Sequence, residues 1–213
     1  MKGLGAGFAY QEDNVLAEYN IPPTTSLSQW MSYHEMALKF LAEKMKAHGK
    51  LVPVASAELS DEDLSNPAAH VFGCDPDWNC WKLRPNPRPF SPNVRLRSAG
   101  GHIHIGGKFT KAEKNHLGRY CDLYLGLPSV LEDKDTKRRA LYGQAGAIRF
   151  KPYGVEYRTL SNYWLADPTL TENIHERVRN MIKAFNSSRN DAYLEAKGED
   201  IQQAINTSNQ KLS

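Results

Sequence analysis

The chain has 213 residues and a formal net charge of +3, and its composition is 40% hydrophobic and 24% charged. These proportions are typical of one folded globular domain and exclude a disordered chain, a collagen-like repeat and a coiled coil. No apolar run reaches the roughly 18 residues that a membrane-spanning helix needs, and no secretion signal stands at the N-terminus. We therefore expect a cytoplasmic protein.

The first half of the chain is predicted to contain two strands, one long helix and one long loop. Residues 11–21 indicate a strand, and residues 26–48 a helix, because their apolar side chains recur at helical spacing. Residues 51–59 are apolar enough for a second strand. Residues 60–98 are rich in proline and turn-forming residues, which predicts a long ordered loop.

The second half is predicted to contain a strand, a helix, a loop, a β-hairpin, another helix and a polar C-terminal tail that is weakly helical and then frayed. In chain order these are residues 99–109, a helix that begins at Thr110, residues 129–146, residues 147–160, a helix with a capping box at Thr169, and residues from about 190 to 213. No linker or internal repeat is present, so we expect one domain over residues 1–213.

Positive charge is concentrated in two parts of the chain. Residues 78–112 contain seven lysines and arginines and no acidic residue, and a second cluster comprises Lys134, Lys137, Arg138 and Arg139. Two interpretations stay open at this point. The clusters are either solvated basic faces or a binding site for a polyanion such as a nucleoside triphosphate.

Three predicted strands each carry two polar residues that are two positions apart. The pairs are Glu18 with Asn20, His102 with His104, and Glu156 with Arg158. Each pair shares one face of its strand, because strand side chains alternate between faces. If the three strands share a sheet, their polar side chains converge on a surface that can hold a divalent cation and an anionic substrate.

Each pair is weak evidence alone, since surface histidines and ordinary ion pairs produce the same patterns. Glycines flank the histidine pair on both sides, at Gly100-Gly101 and Gly106-Gly107. Glycines allow a ligand or a neighbouring backbone to approach closely, which favours a site at His102 and His104.

Four segments together resemble the phage-type carboxylate–amine ligases of the amidoligase group, which is related to glutamine synthetase and glutamate–cysteine ligase. They are residues 11–23, residues 72–79, Arg97-Ser-Ala-Gly-Gly-His-Ile-His-Ile-Gly106 and Tyr153-Gly-Val-Glu-Tyr-Arg-Thr-Leu-Ser-Asn-Tyr-Trp164. The resemblance implies an α+β fold in which helices pack on one face of a glutamine-synthetase-like antiparallel sheet. It also implies ATP-dependent formation of an amide or peptide bond through an acyl-phosphate.

The resemblance further implies roles for individual residues. Glu18, His102 and Glu156 match metal ligands for Mg²⁺ or Mn²⁺. His104, Arg149 and Arg158 match residues that contact ATP, and the two arginines match the catalytic groups. The implied substrates are a small-molecule or peptide carboxylate and an amine, with neither a membrane nor a specific nucleic acid as partner.

The chain departs from the family pattern at its N-terminus. Family members usually begin with a further strand that carries a Gly-x-Asp-Pro-Glu-like acidic motif, and this sequence starts after it. We therefore expect an open sheet edge, covered by a second copy or a partner chain, and an incomplete metal site. Two alternatives stay open: a truncated or inactive member that binds a nucleotide or a partner, and a metal-dependent hydrolase that uses His102 and His104.

Overall fold

The structure is a computed structural model that describes residues 5–13, 15–47, 49–66 and 77–208. It combines antiparallel β-ladders with α-helices, which confirms the predicted α+β class. The helices are α1 (Leu27–Met45), α2 (Lys111–Cys121), α3 (Leu127–Glu132), α4 (Lys137–Leu141), α5 (Pro168–Asn186) and α6 (Asp191–Thr207). The strands are β1 (Ala9–Asp13), β2 (Leu16–Asn20), β3 (Ser56–Glu58), β4 (Trp78–Asn79), β5 (Arg84–Pro85), β6 (Leu96–Ser98), β7 (Ile103–Gly106), β8 (Ala147–Lys151) and β9 (Gly154–Tyr157).

A five-stranded antiparallel sheet with the order β5-β4-β8-β9-β7 forms the centre of the fold. One face of this sheet is apolar, and its side chains are buried in the core together with residues of α2, α5 and α6. Ile103, Ile148 and Tyr157 stand opposite one another across β7, β9 and β8 on that face. Because side chains alternate along a strand, the residues on either side of these three point to the opposite face.

The N-terminal segment forms a hairpin rather than the single strand that was predicted for residues 11–21. β1 and β2 pair with each other in a separate two-stranded sheet, which attaches to α1 through ring contacts such as Tyr10 with Phe40. The expectation that the strand of Glu18 shares a sheet with the strands of His102 and Glu156 is therefore wrong.

Several predicted boundaries hold and others do not. Thr110 caps α2 with the complete capping box that its spacing with Glu113 predicts. The hairpin predicted for residues 147–160 forms as β8 and β9. The predicted long loop 60–98 contains the short strands β4, β5 and β6, and its residues 67–76 lie outside the described ranges.

The predicted basic loop 129–146 is wrong, because it contains the end of α3 and all of α4. Arg138 and Arg139 of α4 are buried rather than solvated. The Arg138 guanidinium donates to the carbonyl oxygens of Arg158 and Thr159, at 3.1 and 2.9 Å. Backbone carbonyls therefore accept hydrogen bonds from a buried charge that the sequence pattern alone places on the surface.

The C-terminal part is also more ordered than predicted. Asp167, not Thr169, caps α5, since Pro168 occupies the first helical position and Asp167 accepts from the Thr169 amide. The polar, weakly helical tail predicted from about 190 forms helix α6 up to residue 207, and this helix packs into the core with Leu194, Ile201 and Ile205. Among the described residues, no helix is both long and apolar enough to cross a membrane.

An ionisable side chain, that of Asp122, lies inside the core. Asp122, in a π-helical turn (Asp122–Gly126) between α2 and α3, has no exposed surface. Its carboxylate accepts hydrogen bonds from the Trp81 indole at 2.6 Å and the Tyr157 hydroxyl at 2.8 Å. Burial raises the pKa of Asp122 to about 7. Asp122 thus holds β9 to the helical layer through Tyr157.

We expect Ile205→Ala to destabilise the protein by about 2–5 kcal/mol, the usual cost of removing a fully buried aliphatic side chain. Ile205 has no exposed surface in α6. Urea denaturation measures the loss, and Gln203→Ala on the exposed side of the same helix serves as the matched control. If both variants have wild-type stability, α6 does not belong to the core.

We expect Asp122→Asn to raise the free energy of unfolding at pH 8 more than at pH 4. A carboxyl group whose folded pKa is raised favours the folded state while it is protonated. In the wild-type protein, this contribution to the free energy of unfolding is present below about pH 4. It decreases by at most about 4 kcal/mol as the pH rises towards 7. Denaturation at several pH values measures this, with the exposed Asp200→Asn as control. A pH-independent difference between Asp122→Asn and wild type would contradict the expectation.

Candidate active site

A row of polar side chains crosses the sheet on the face opposite the core. Arg149 of β8 and His104 of β7 both pair with Glu156 of β9 in the strand register. Asp77 directly precedes β4, and because Trp78 pairs with Ile148, Asp77 stands beside Arg149. The row therefore runs Asp77, Arg149, Glu156, His104 over neighbouring chain segments.

Arg158 connects this row to His102. Its Nε lies 2.6 Å from Oδ1 of Asp77, its Nη1 donates to Oε1 of Glu156, and the same Nη1 lies 3.3 Å from Nδ1 of His102. His102 Nδ1 is also 3.3 Å from Glu156 Oε1. Arg158, Glu156 and Asp77 are all buried, so their charges compensate one another away from solvent.

Asp77, His102, Glu156 and Arg158 form a cluster, and the cations Arg149 and Lys151 lie at its outer side. Lys151 Nζ is 2.8 Å from Oε2 of Glu156. Arg149 is more distant, at 3.8 Å from Asp77 Oδ1 and 3.9 Å from Glu156 Oε1. The Lys151 and Arg149 side chains are 27% and 32% exposed, whereas that of Arg158 is 6% exposed. The two outer cations can therefore contact a ligand that approaches this face.

The protonation states leave the cluster with excess positive charge. Burial alone would raise the pKa of Glu156, but His102, Arg158 and Lys151 hold that pKa well below its usual range. Burial lowers the pKa of His102 to about 4, with Arg158 adding to the shift and Glu156 opposing it. At pH 7 three cations then face two carboxyl groups beside neutral imidazole, which favours an anionic ligand.

The segment before β7 is shaped by close packing, as its glycines predict. A Cβ atom on Gly100 would clash with the His102 ring and come within 3.0 Å of Arg138 Nη2. A Cβ on Gly101 would clash with the carbonyl oxygen of Ser161. A side chain at Gly100 would therefore require the His102 ring to move, and one at Gly101 would require the backbone at Ser161 to move.

His104 lies at the rim of the cluster. It is exposed, its ring stacks on the Tyr153 ring, and its Nδ1 is 2.5 Å from the Tyr153 hydroxyl. Although the residue is exposed, neighbouring side chains partly desolvate its ring, which lowers the pKa of His104. The cations Lys151, Arg158 and Arg149 lower this pKa further, while Glu156 opposes the shift. This position beside the β8–β9 turn is open to a ligand from solvent.

The predicted metal ligands are only partly brought together. His102 and Glu156 are neighbours, whereas Glu18 lies in the β1–β2 sheet and accepts a hydrogen bond from Gln11 at 2.6 Å. The described residues contain no group of three or more His, Cys, Asp or Glu side chains that could hold a metal ion. Since Glu156 is already paired with Arg158 and Lys151, the residues in this arrangement do not fit a bound divalent cation.

Sequence reasoning missed two residues of the cluster, Asp77 and Lys151, and the position of Arg138 next to it. Lys151 could have been found, because it is two positions after Arg149 and therefore shares its strand face. Asp77 belongs to an Asp-Pro-Asp segment inside the predicted loop, and its position in β-sheet register is visible only in the fold. Arg138 was assigned to a basic cluster, and its proximity to Arg158 depends on the packing of α4.

A comparison with protein-family models gives a match. The family model described as "Phage phiEco32-like COOH.NH2 ligase-type 2" matches residues 91–212, more than half of the sequence, which confirms the resemblance seen in the motifs. The chain therefore belongs to this family of carboxylate–amine ligases. The matched range includes His102, His104, Arg149, Glu156 and Arg158. No curated protein and no solved structure gives a match.

We expect Glu156→Gln to destabilise the protein by about 3–5 kcal/mol, because removing one partner of a buried ion pair leaves the other charge uncompensated. Glu156 is 2% exposed, and its loss deprives the buried Arg158 of a carboxylate partner. Urea denaturation at pH 7 measures the loss. Glu58→Gln removes the partner of Lys137 on the surface and should have little effect. Equal effects of the two substitutions would contradict the account.

Proposed function

We propose that this protein is an ATP-dependent carboxylate–amine ligase and that the polar face of its five-stranded sheet is the active site. One observation carries the proposal. In a chain of this family, Arg149, Lys151 and Arg158 surround two buried carboxyl groups on one sheet face and give it an excess of positive charge. An acyl-phosphate and the triphosphate that produces it are anions that need such a surface.

The proposed reaction has two steps. A carboxylate oxygen of the first substrate attacks the γ-phosphorus of ATP, which forms the acyl-phosphate and releases ADP. The nitrogen of an amine then attacks the acyl carbon, the carbon–oxygen bond breaks, phosphate leaves, and the amine loses a proton to solvent. The products are one amide, ADP and phosphate for each ATP consumed.

The side chains divide these tasks according to their exposure. Arg149 and Lys151 are partly exposed, so they are the groups proposed to bind the transferred phosphoryl group and the substrate carboxylate. Arg158 is held by Asp77 and Glu156, so it supplies a fixed positive charge beneath them. Fixed charges stabilise developing negative charge without having to reorganise during the reaction.

The proposal also retains three expectations from the family resemblance. His104 at the rim is proposed to contact the nucleotide, and Mg²⁺ or Mn²⁺ is proposed to accompany the triphosphate as its counter-ion. The substrates are proposed to be a small-molecule or peptide carboxylate and an amine. No step above depends on a metal ion held by this chain.

A substrate-panel assay tests the function. Purified protein is incubated with ATP, a divalent cation, a panel of carboxylates and either an amine or hydroxylamine, and both ADP and the hydroxamate or amide are measured. The proposal predicts product only when ATP and a carboxylate are both present. Product formation without ATP would instead indicate a hydrolase acting in reverse and would overturn the proposal.

We expect Arg149→Gln to reduce kcat by about a hundredfold, since one preorganised donor to a transition state contributes roughly 3 kcal/mol. Its melting temperature should change little, because Arg149 is partly exposed and its ion-pair distances are long. Arg149→Lys should restore part of the activity. Arg95→Gln removes a surface arginine that pairs with Asp61 and should leave kcat unchanged. Wild-type turnover in Arg149→Gln would remove Arg149 from the site.

A second candidate function is nucleotide binding without turnover. The separation of Glu18 from His102 and Glu156 favours it, because an incomplete set of carboxylates reduces the capacity to hold the metal of a metal–ATP complex. The same panel distinguishes the two candidates. Saturable ATP binding by calorimetry, with no ADP formed in the presence of any carboxylate, would favour the second.

A further inference from the structure

The Arg138 guanidinium of α4 binds two consecutive carbonyl groups. Arg138 is 3% exposed, its Nη2 donates to the carbonyl oxygen of Arg158 at 3.1 Å, and its Nη1 donates to that of Thr159 at 2.9 Å. Consecutive carbonyls of an extended strand point in opposite directions. Because these two carbonyls face the same guanidinium, the chain turns out of the sheet directly after β9.

The backbone of Arg158 is therefore held on both of its sides. Its N–H group donates to the carbonyl oxygen of Ala147 at 2.9 Å, as the last hydrogen bond between β8 and β9. Its carbonyl group accepts from Arg138. A guanidinium lies at the end of a long side chain, so a small rotation of the backbone displaces it widely. The place of Arg158 between Asp77 and Glu156 thus depends on the turn that Arg138 holds.

Helix α4 is itself fixed against this turn. Oδ1 of Asp135 accepts from the backbone N–H groups of Lys137 and Arg138 at 2.8 and 3.2 Å, which holds the start of the helix. The Ser161 hydroxyl donates to Oδ2 of Asp133 at 2.8 Å. The segment before α4 and the segment after β9 are therefore joined at a second point, and Arg138 approaches the carbonyls from a fixed direction.

Packing alone does not explain a buried arginine at this position. In the described part of the chain, Arg138 makes no contact with a carboxyl group, Asp133 and Asp77 attract it only from a distance, and its Nε has no hydrogen-bond partner. Burial and the charge of Arg158 lower the pKa of Arg138 to about 10, so the group is still protonated at pH 7. An apolar side chain would stabilise a buried helix at least as well. What a guanidinium adds is a planar pair of donors.

We propose that Arg138 is a positioning residue for the ligase reaction: it holds the turn after β9 and so keeps the Arg158 guanidinium beneath the transferred phosphoryl group. The inference rests on the proposed function, because it assigns to Arg158 the fixed charge of that reaction. Arg138 is buried, so it acts through the backbone and not by contact with a substrate.

The adjacent Arg139 provides a matched control. It lies in the same helix, is 5% exposed, and donates through Nη2 to the carbonyl oxygen and the hydroxyl of Ser129 at 2.9 and 3.0 Å. Arg138→Lys and Arg139→Lys each keep the charge and remove the planar donors. A merely structural role of Arg138 predicts the same consequences for both variants.

Steady-state kinetics measures the effect on the reaction. Arg138→Lys should lower kcat about tenfold, less than the hundredfold expected for a direct donor, since Arg158 is displaced and not removed. The KM for ATP should stay within about twofold, because the cations proposed to bind the phosphoryl group are unchanged. Arg139→Lys should keep the wild-type kcat, even if its melting temperature falls as much as that of Arg138→Lys.

A second measurement needs neither ATP nor a substrate. The NMR signal of the Arg158 Nε–H group, assigned by its absence from the spectrum of Arg158→Lys, gives the exchange rate of this proton with solvent. Arg158 is 5% exposed, so the exchange should be slow in the wild-type protein. It should be at least about tenfold faster in Arg138→Lys, since one lost hydrogen bond of a charged donor changes an opening equilibrium by that factor. Arg139→Lys should show the wild-type rate.

Two results would overturn the proposal. One is a wild-type exchange rate at Arg158 in a folded Arg138 variant, and the other is an equal change of exchange rate and kcat in Arg139→Lys. Arg138→Gln replaces Arg138→Lys if the latter does not fold. If the wild-type protein forms no amide, the proposed function fails while the exchange rates still decide whether Arg138 positions Arg158, so the two failures are distinguishable.

Discussion

The buried contact between Arg158 and the carboxyl groups of Asp77 and Glu156 is the constraint on which the polar face depends. A charge inside a protein is tolerated only where opposite charges and hydrogen bonds replace its hydration. The carbonyl oxygens of Arg158 and Thr159 in turn receive the Arg138 guanidinium from α4. The ion cluster therefore connects three separate parts of the chain: the segment before β4, strand β9 with the residues after it, and helix α4.

The alternation of side chains along β9 joins this cluster to the core. Glu156 and Arg158 point to the polar face, and Tyr157 between them points to the helical layer, where its hydroxyl donates to Asp122. The register with β7 and β8 adds His104 and Arg149 beside Glu156. Because both faces of one short strand are fixed, a change in the core below Tyr157 would be transmitted to the charged groups above it.

The sequence predicted well those parts of the site that local strand periodicity determines. His102 and His104, and likewise Glu156 and Arg158, are two positions apart, and each pair shares a face as expected. It could not predict that Glu18 belongs to another sheet, because strand partners depend on distant residues and not on the local pattern. Asp77 was missed for the same reason, since only pairing with β8 brings it beside Arg149. The sequence predicted only weak helicity for α6 and not its packing into the core, because its buried residues are widely spaced among polar ones, which weakens the apolar pattern.

The origin of the oxygen in the released phosphate tests the central claim most directly. If the polar face supports an acyl-phosphate, a carboxylate substrate labelled with heavy oxygen transfers one labelled atom to inorganic phosphate during amide formation. Mass spectrometry of the phosphate measures this transfer. The account predicts one labelled oxygen in phosphate for each amide formed. Unlabelled phosphate, with its added oxygen derived from water, would show that ATP is hydrolysed without activating the carboxylate and would contradict the account.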